Sequence, residues 1–185
     1  MHVALFGGSF NPPHVAHQLV ALYVLETTPV AELWFVPAFQ HAFDKPLESF
    51  ADRFAMCERA ASALGPRVRV SDVEARIGGP SRTLKTVERL LQEDPTNNFS
   101  VVVGSDLVGE IDKWYGAPAL RSMVAFIVVG RAGGPASIAM PAISSTEIRA
   151  ALAQSRDARA LLPKTVLDYI TSRGLYGSPT PATTK

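Results

Sequence analysis

The run Val3-Ala4-Leu5-Phe6-Gly7-Gly8-Ser9-Phe10-Asn11-Pro12-Pro13-His14-Val15-Ala16-His17 decides the fold. Four apolar residues in a row predict a short strand covered on both faces. Two glycines and two prolines then stop it and force a turn. From Val15 to Glu26 the pattern predicts a helix that starts near His14. Working outward, the same alternation continues. Leu33 to Val36 reads as a strand, Ser49 to Leu64 as a helix, Val68 to Val70 as a strand, and Leu84 to Glu93 as a helix. Phe99 to Val103 and Val124 to Val129 add two more strands, separated by a mixed segment up to Leu120. Strand and helix in alternation predict the α/β class, a doubly wound parallel sheet with helices on both faces.

The helix from Ser49 to Leu64 shows one apolar stripe, Phe50, Phe54, Cys57, Ala61 and Leu64, at alternating spacings of four and three. Cys57 therefore reads as core. Ser49 with Asp52 reads as a cap and an acidic first turn. Near the other end, Pro163 suits a helix start and Gly174 its stop, giving a helix over Thr165 to Arg173. With 185 residues the chain has room for one domain, expected over residues 1–176 and closed by this helical segment. The Pro/Thr-rich remainder, 177–185, is expected to be a flexible tail.

Lys and Arg number 18 against 17 Asp and Glu, a net charge of +1. That argues against the broad basic face used to bind nucleic acid. None of the first 25 residues carries a formal charge. A single cysteine makes neither an intrachain disulfide nor a cysteine-rich zinc site. The longest purely apolar run, Met123 to Val129, is too short to span a membrane, and the amino terminus lacks the basic start and apolar core of a signal peptide. A cytoplasmic protein acting on small molecules is expected, with no nucleic-acid or membrane partner; homo-oligomerisation stays open.

Ligands of open α/β sheets bind at the carboxyl ends of the strands, where Gly7 to His17 falls. The first N–H groups of the following helix lack helical partners and, with the helix dipole, suit a phosphate. His14 and His17, three apart, share one helical face, so two imidazoles would meet the same anion. A histidine pair at this spacing is also half of a metal site, and an inert helix start is a third reading. The remaining histidines and the cysteine, His2, His41 and Cys57, show no ligand-like spacing. Neither Gly-x-Gly-x-x-Gly nor Gly-x4-Gly-Lys-Ser/Thr occurs.

A second candidate lies at Ile143-Ser144-Ser145-Thr146-Glu147-Ile148-Arg149. Ser144 and Glu147 have capping-box spacing, which makes an ordinary helix start the plain reading. The functional reading adds two hydroxyls and Arg149, whose fork can grip phosphate oxygens. Two anion-receptive helix starts at one sheet edge suggest a triphosphate or two phosphorylated ligands.

Taken together, the two motifs are recognisable. Gly-Gly-Ser-Phe-Asn-Pro-Pro-His-Val-Ala-His resembles the Gly-x-Phe-x-Pro-x-His-x-Gly-His signature of the nucleotidylyltransferase superfamily. Ile143 to Arg149 resembles its second signature, about 130 residues further on. Trp34 to Pro37, the block from Glu74 through Arg76 and Ser81 to Thr83, Gly104 with Asp106 and Trp114, and the ending Val166 to Tyr176 resemble the bacterial nicotinate-nucleotide adenylyltransferases. The resemblance implies a Rossmann-like fold and transfer of the adenylyl group of ATP to nicotinate mononucleotide, with release of pyrophosphate. It implies catalytic roles for His14, His17, Lys45 and Arg149. ATP would meet Gly7, Gly8, Ser9, Phe10, Gly104, Asp106, Ile143, Ser144, Ser145 and Thr146. The mononucleotide would meet Asn11, Arg82, Thr83, Trp114 and Arg131, with Trp114 stacked on the pyridine ring. Mg2+ would ride on the ATP phosphates without a protein metal cage.

Four positions depart from the family pattern. Ala16 replaces a glycine, and His41-Ala42-Phe43-Asp44-Lys45 stands where relatives often carry Pro-Pro-His-Lys. Arg82 replaces a tyrosine beside Thr83, and Arg131-Ala132-Gly133 stands for Arg-Pro-Gly. Arg82 would favour an acidic substrate over its amide. Rival readings are an adenylyltransferase for nicotinamide mononucleotide or phosphopantetheine, and a non-catalytic nucleotide-binding module.

Overall fold

The structure is a computed structural model that describes residues 1–40, 47–131 and 138–178. Its centre is a parallel sheet in the order β3-β2-β1-β4-β5-β6. The strands are β1 (His2–Gly8), β2 (Glu32–Pro37), β3 (Val68–Val70), β4 (Asn98–Gly104), β5 (Ala125–Arg131) and β6 (Ala139–Met140). Strand order reverses between β1 and β4, whose register runs from His2 opposite Asn98 to Leu5 opposite Val101. A crevice opens at the carboxyl ends of strands on either side of such a reversal. The expected doubly wound sheet is therefore present.

Helices α1 (Val15–Thr27) and α2 (Phe50–Ser62) cover one face. There Ala21, Val24, Cys57 and Ala61 pack with Ala4, Phe35 and Val102. The other face carries α3 (Val73–Ile77), α4 (Thr83–Glu93), a 3-10 segment (Ser105–Lys113) and α5 (Ala117–Met123). Here Leu84, Val87, Ile111 and Leu120 meet Val3, Leu5 and Val101. Gly116, at φ 65°, precedes α5, and a Cβ there would collide with Leu84 Cδ2. The turn after Trp114 thus requires glycine twice over, for conformation and for space.

A third layer was not anticipated. Helices α6 (Ser145–Ala153) and α7 (Lys164–Arg173) pack on the outer side of α2, where Met56 and Ala60 join Ile148, Leu152, Val166 and Ile170. Helix α2 is consequently buried on two sides. Cys57 and Ala61 face the sheet as expected, but Phe50 and Phe54 are only half-buried, while Arg53, Met56 and Ala60 are fully enclosed. Burial pushes the Cys57 thiol far up from its ordinary range, so it stays a neutral core group. The chain after α7 turns at Gly174, which is left-handed, and remains packed through Ser178. Residues 179–185 of the expected tail lie outside the described residues.

Asp52 joins α2 to α7. It accepts from Ser49 Oγ at 2.6 Å and from Tyr169 Oη at 2.8 Å, and Arg173 lies 3.4 Å away. The Ser49 hydrogen bond first, then Tyr169 and Arg173, hold its carboxyl below the ordinary aspartate range against an opposing effect of burial. A depressed folded-state pKa stabilises above the unfolded value, about 3.9. That contribution disappears as pH falls through the folded value. Asp52→Asn is therefore expected to cost about 1–2 kcal/mol at pH 7. The gap between native and variant melting curves is expected to close as pH falls below the unfolded value and through the lower folded one. A gap that persists unchanged in acid would assign the effect to packing.

Candidate active site

The first motif forms the end of β1 and the loop into α1. His14 is the residue before the first helical turn, 3% exposed, and its ring stacks on that of His17 with centroids 3.7 Å apart and planes 28° from parallel. The pairing reaches the backbone too. His14 N donates to His17 Nδ1 at 3.0 Å, and His17 N donates to the His14 carbonyl at 2.9 Å. Val15 N donates to the Leu161 carbonyl at 3.0 Å. Three amides that the helix-start argument offered to a phosphate are thus engaged within the protein. The imidazoles take part in the same helix-start network, the His17 ring through its Nδ1. Because Nδ1 of His17 accepts a hydrogen bond, the neutral ring carries its proton on Nε2.

Phe10 supports this pair from below. It is 2% exposed, at φ 45°, and its ring meets Phe35 at 5.3 Å, Phe6 at 5.7 Å and His17 at 4.9 Å, all edge-on. A Cβ on Gly8 would sit 3.2 Å from the Phe10 ring, whereas one on Gly7 would meet nothing within 4 Å. Gly8 serves the ring, and only Gly7 borders open space. Asn11, 3% exposed, is similarly engaged: its Oδ1 accepts from Tyr176 Oη at 2.8 Å and from Glu48 N at 3.2 Å.

The second motif opens α6. Ser144 caps it by accepting from Thr146 N at 3.2 Å, and Ile143 packs against the third layer. Ser145 Oγ donates to the Pro12 carbonyl at 2.9 Å. Arg149 Nη1 donates to the Asn11 carbonyl at 2.7 Å, and its Nη2 to Thr146 Oγ1 at 3.2 Å. Hence the motifs are fastened to each other across 133 and 138 residues of sequence. With carbonyls 11 and 12 occupied by donors, the loop turns away acceptors that would repel phosphate.

Gly104 ends β4, and Asp106 is exposed in the first turn of the 3-10 segment that follows. Across the sheet, Ser81 joins β2 to α4. Its Oγ accepts from Phe39 N at 2.9 Å and its N donates to the Gln40 carbonyl at 3.1 Å. Arg82 precedes α4 and Thr83 is its first residue. The Arg82 guanidinium lies 5.8 Å from the Tyr115 ring centre, beside Trp114. Trp114 itself is half-buried, edge-on to Phe126 at 6.2 Å. Arg131 is the last residue of β5, with its side chain outside the described part, and Lys45 lies wholly outside the described residues.

Two residues near the motifs escaped sequence reasoning. Tyr176 contributes the hydrogen bond to Asn11, and Arg53 of α2 lies beneath the same loop at 1% exposure, with Nη1 2.9 Å from the Ser9 carbonyl. The only signal for Arg53 is a charged residue one position from an apolar stripe, which normally means a solvated flank. A separate cavity of about 440 Å³ lies between the amino ends of β1 and β4 and the carboxyl end of β3, lined in part by Met1, Trp34, Arg76, Glu93 and Phe99. Its main charges already pair, Arg76 with Glu93 and Asp72. It has no share in the motifs.

Stacked imidazoles at the end of β1, beside the strand-order reversal and fastened to a Ser/Thr/Arg helix start, are the arrangement expected of a nucleotide-transfer α/β protein. Comparison agrees: residues 5–151 match the cytidylyltransferase-like family model. The chain is 46% identical over 180 residues to the "Probable nicotinate-nucleotide adenylyltransferase" of Anaeromyxobacter dehalogenans strain 2CP-C, covering 94% of this chain and 96% of the relative. It is 36% identical to the protein of the same name from Myxococcus xanthus, covering 96% and 95%. The chain belongs to the nicotinate-nucleotide adenylyltransferase family within the cytidylyltransferase-like proteins. Among solved structures, Plasmodium falciparum nicotinic acid mononucleotide adenylyltransferase complexed with NaAD superposes with a TM-score of 0.82 at 23% identity, covering 96% of this chain and 98% of that one, and shares the fold.

Proposed function

We propose that this protein transfers the adenylyl group of ATP to nicotinate mononucleotide, yielding nicotinate adenine dinucleotide and pyrophosphate, a step of NAD biosynthesis. The observation that carries the reading is the fastening of the Ser145 and Arg149 helix start onto the His14 and His17 loop. In the reaction a phosphate oxygen of the mononucleotide bonds to the α-phosphorus of ATP. The bond from that phosphorus to the pyrophosphate oxygen breaks, and its electron pair leaves with pyrophosphate. No covalent enzyme intermediate is required, so the protein supplies positioning and charge stabilisation. His17, through Nε2–H, and His14 stabilise the α-phosphoryl oxygens. Ser144, Thr146 and the remaining donors of Arg149 hold the outer phosphates. Asp106 receives the ribose hydroxyls, and Thr83 and Trp114 take the nicotinate ring.

Among the described residues no three His, Cys, Asp or Glu side chains cluster. The donors at the site, imidazole, hydroxyl and guanidinium, suit an anion. Mg2+ would therefore be held by the triphosphate and shield its charge. No helix of the described residues is long and apolar enough to cross a membrane. The near-neutral charge and the family suit an enzyme of the cytoplasm whose partners are small phosphorylated molecules.

Pyrophosphate release with ATP and one acceptor at a time tests the reading. Release is expected with nicotinate mononucleotide and much less with nicotinamide mononucleotide or phosphopantetheine. Release with phosphopantetheine alone, or none with any acceptor, would overturn it. Arg82, exposed beside Thr83, places a cation where an acidic ring substituent would lie. Arg82→Gln is expected to lower the acid-to-amide ratio of kcat/KM about twofold to fivefold, the range for an exposed ion pair. An unchanged ratio would remove Arg82 from substrate selection.

A further inference from the structure

Arg53 is the most enclosed charged side chain among the described residues, 1% exposed. No described carboxylate pairs with it. Its donors instead reach three backbone carbonyls from three separate segments: Nη1 to Ser9 at 2.9 Å, Nε to Glu48 at 3.0 Å and Nη2 to Phe39 at 3.2 Å. A buried cation is a poor way to fill a core, and an apolar side chain of similar volume does so at lower cost. What the guanidinium alone offers is a rigid planar fork able to hold three acceptors at once.

One acceptor, Ser9, lies in the proposed site, and a second, Phe39, is bonded to the segment that leads into its other half. Ser9 precedes Phe10 in the loop that carries His14. A trans peptide sets C=O and N–H on opposite sides, so fixing the Ser9 carbonyl turns the Phe10 N–H away from the guanidinium. Phe39, through its own N–H, is bonded to Ser81 Oγ, two residues before Thr83. Arg53 thereby spans from the phosphate loop to the segment that leads into the mononucleotide side.

We propose that Arg53 is a positioning residue for adenylyl transfer: it aims the Phe10 N–H at the reacting phosphate and sets the distance between the two substrate half-sites. The inference rests on the function proposed above and names a determinant of that same site.

The test compares native protein with Arg53→Lys and Arg53→Met by steady-state kinetics, calorimetric binding of a non-hydrolysable ATP analogue, and melting temperature. Lysine keeps the charge but reaches fewer of the three carbonyls. Arg53→Met is expected to lower kcat about 100-fold, the usual loss of one preorganised donor. Arg53→Lys is expected to lower kcat about tenfold and to raise the analogue Kd about threefold, while remaining folded well above the assay temperature. Should Arg53→Met not fold, Arg53→Lys and Ser81→Ala decide the matter, the latter with a smaller fall in kcat. A folded Arg53→Lys with kcat and analogue Kd both within twofold of native overturns the proposal and leaves Arg53 a packing residue, whatever its melting temperature. If native protein releases no pyrophosphate with any acceptor, the reaction assignment fails separately, and the analogue Kd still reads the Phe10 N–H.

Discussion

Replacing His17 by alanine is expected to lower kcat by about 10²–10³ while the KM for ATP changes by less than about threefold. The split follows from where the ring sits. Its Nδ1 is held by the His14 amide and its face by Phe10 and His14, so the Nε2 proton is aimed before substrate arrives. A donor that costs no reorganisation acts mainly on charge that develops during transfer. His17→Gln, which keeps a donor but not the stack, should recover only part of the loss. A defect confined to KM would show that His17 binds ground-state ATP and contributes nothing beyond it. Melting curves separate the chemistry from the cost of uncapping α1, about 1 kcal/mol.

Arg149→Met is expected to be as damaging in kcat/KM, by about 10²–10³, but with the larger share in the KM for ATP. Two losses coincide. The phosphates lose a cation, and the Asn11 carbonyl loses its donor at 2.7 Å, freeing the loop that carries His14. Arg149→Lys can replace the charge but not both bonds to Asn11 and Thr146. It should therefore lie between native protein and Arg149→Met. Equal kinetics for the lysine variant and native protein would mean that charge suffices and the fastening does not matter.

The parts of the fold that were legible in sequence are those whose signals are local. Val3 to Phe6 followed by glycines and prolines marks a strand end and a helix start without reference to anything distant. So do Ser49 before α2 and Gly174 after α7. Elements α3 and β6, five and two residues long, carry too little periodicity to be seen. The third layer was hidden for another reason. An apolar stripe identifies one buried face of a helix, and the second face of α2 becomes buried only when residues from beyond β6 fold back over Met56 and Ala60.

The site divides along the same line. Residue types and spacing pointed to the two motifs and to an anion as ligand. They could not show that the helix-start amides would be consumed, because the partner of Val15 N is the carbonyl of Leu161 in a different layer. Nor could they distinguish Gly8, which makes room for a phenylalanine ring, from Gly7, which borders solvent. Arg53 was unreadable because a guanidinium satisfied by backbone carbonyls leaves no complementary carboxylate to find.

The tie between Tyr176 and Asn11 links residues 165 positions apart. Its consequence concerns the order of synthesis. The loop that carries His14 and His17 is made before Ser145 and Arg149, and before the Tyr176 hydroxyl that seats its asparagine. A nascent chain halted before α6 has both histidines and the bonds from Arg53 and Glu48, but not those from Ser145, Arg149 and Tyr176. The loop thus gains its bonds from Ser145, Arg149 and Tyr176 only after α6 and the residues following α7 have been made.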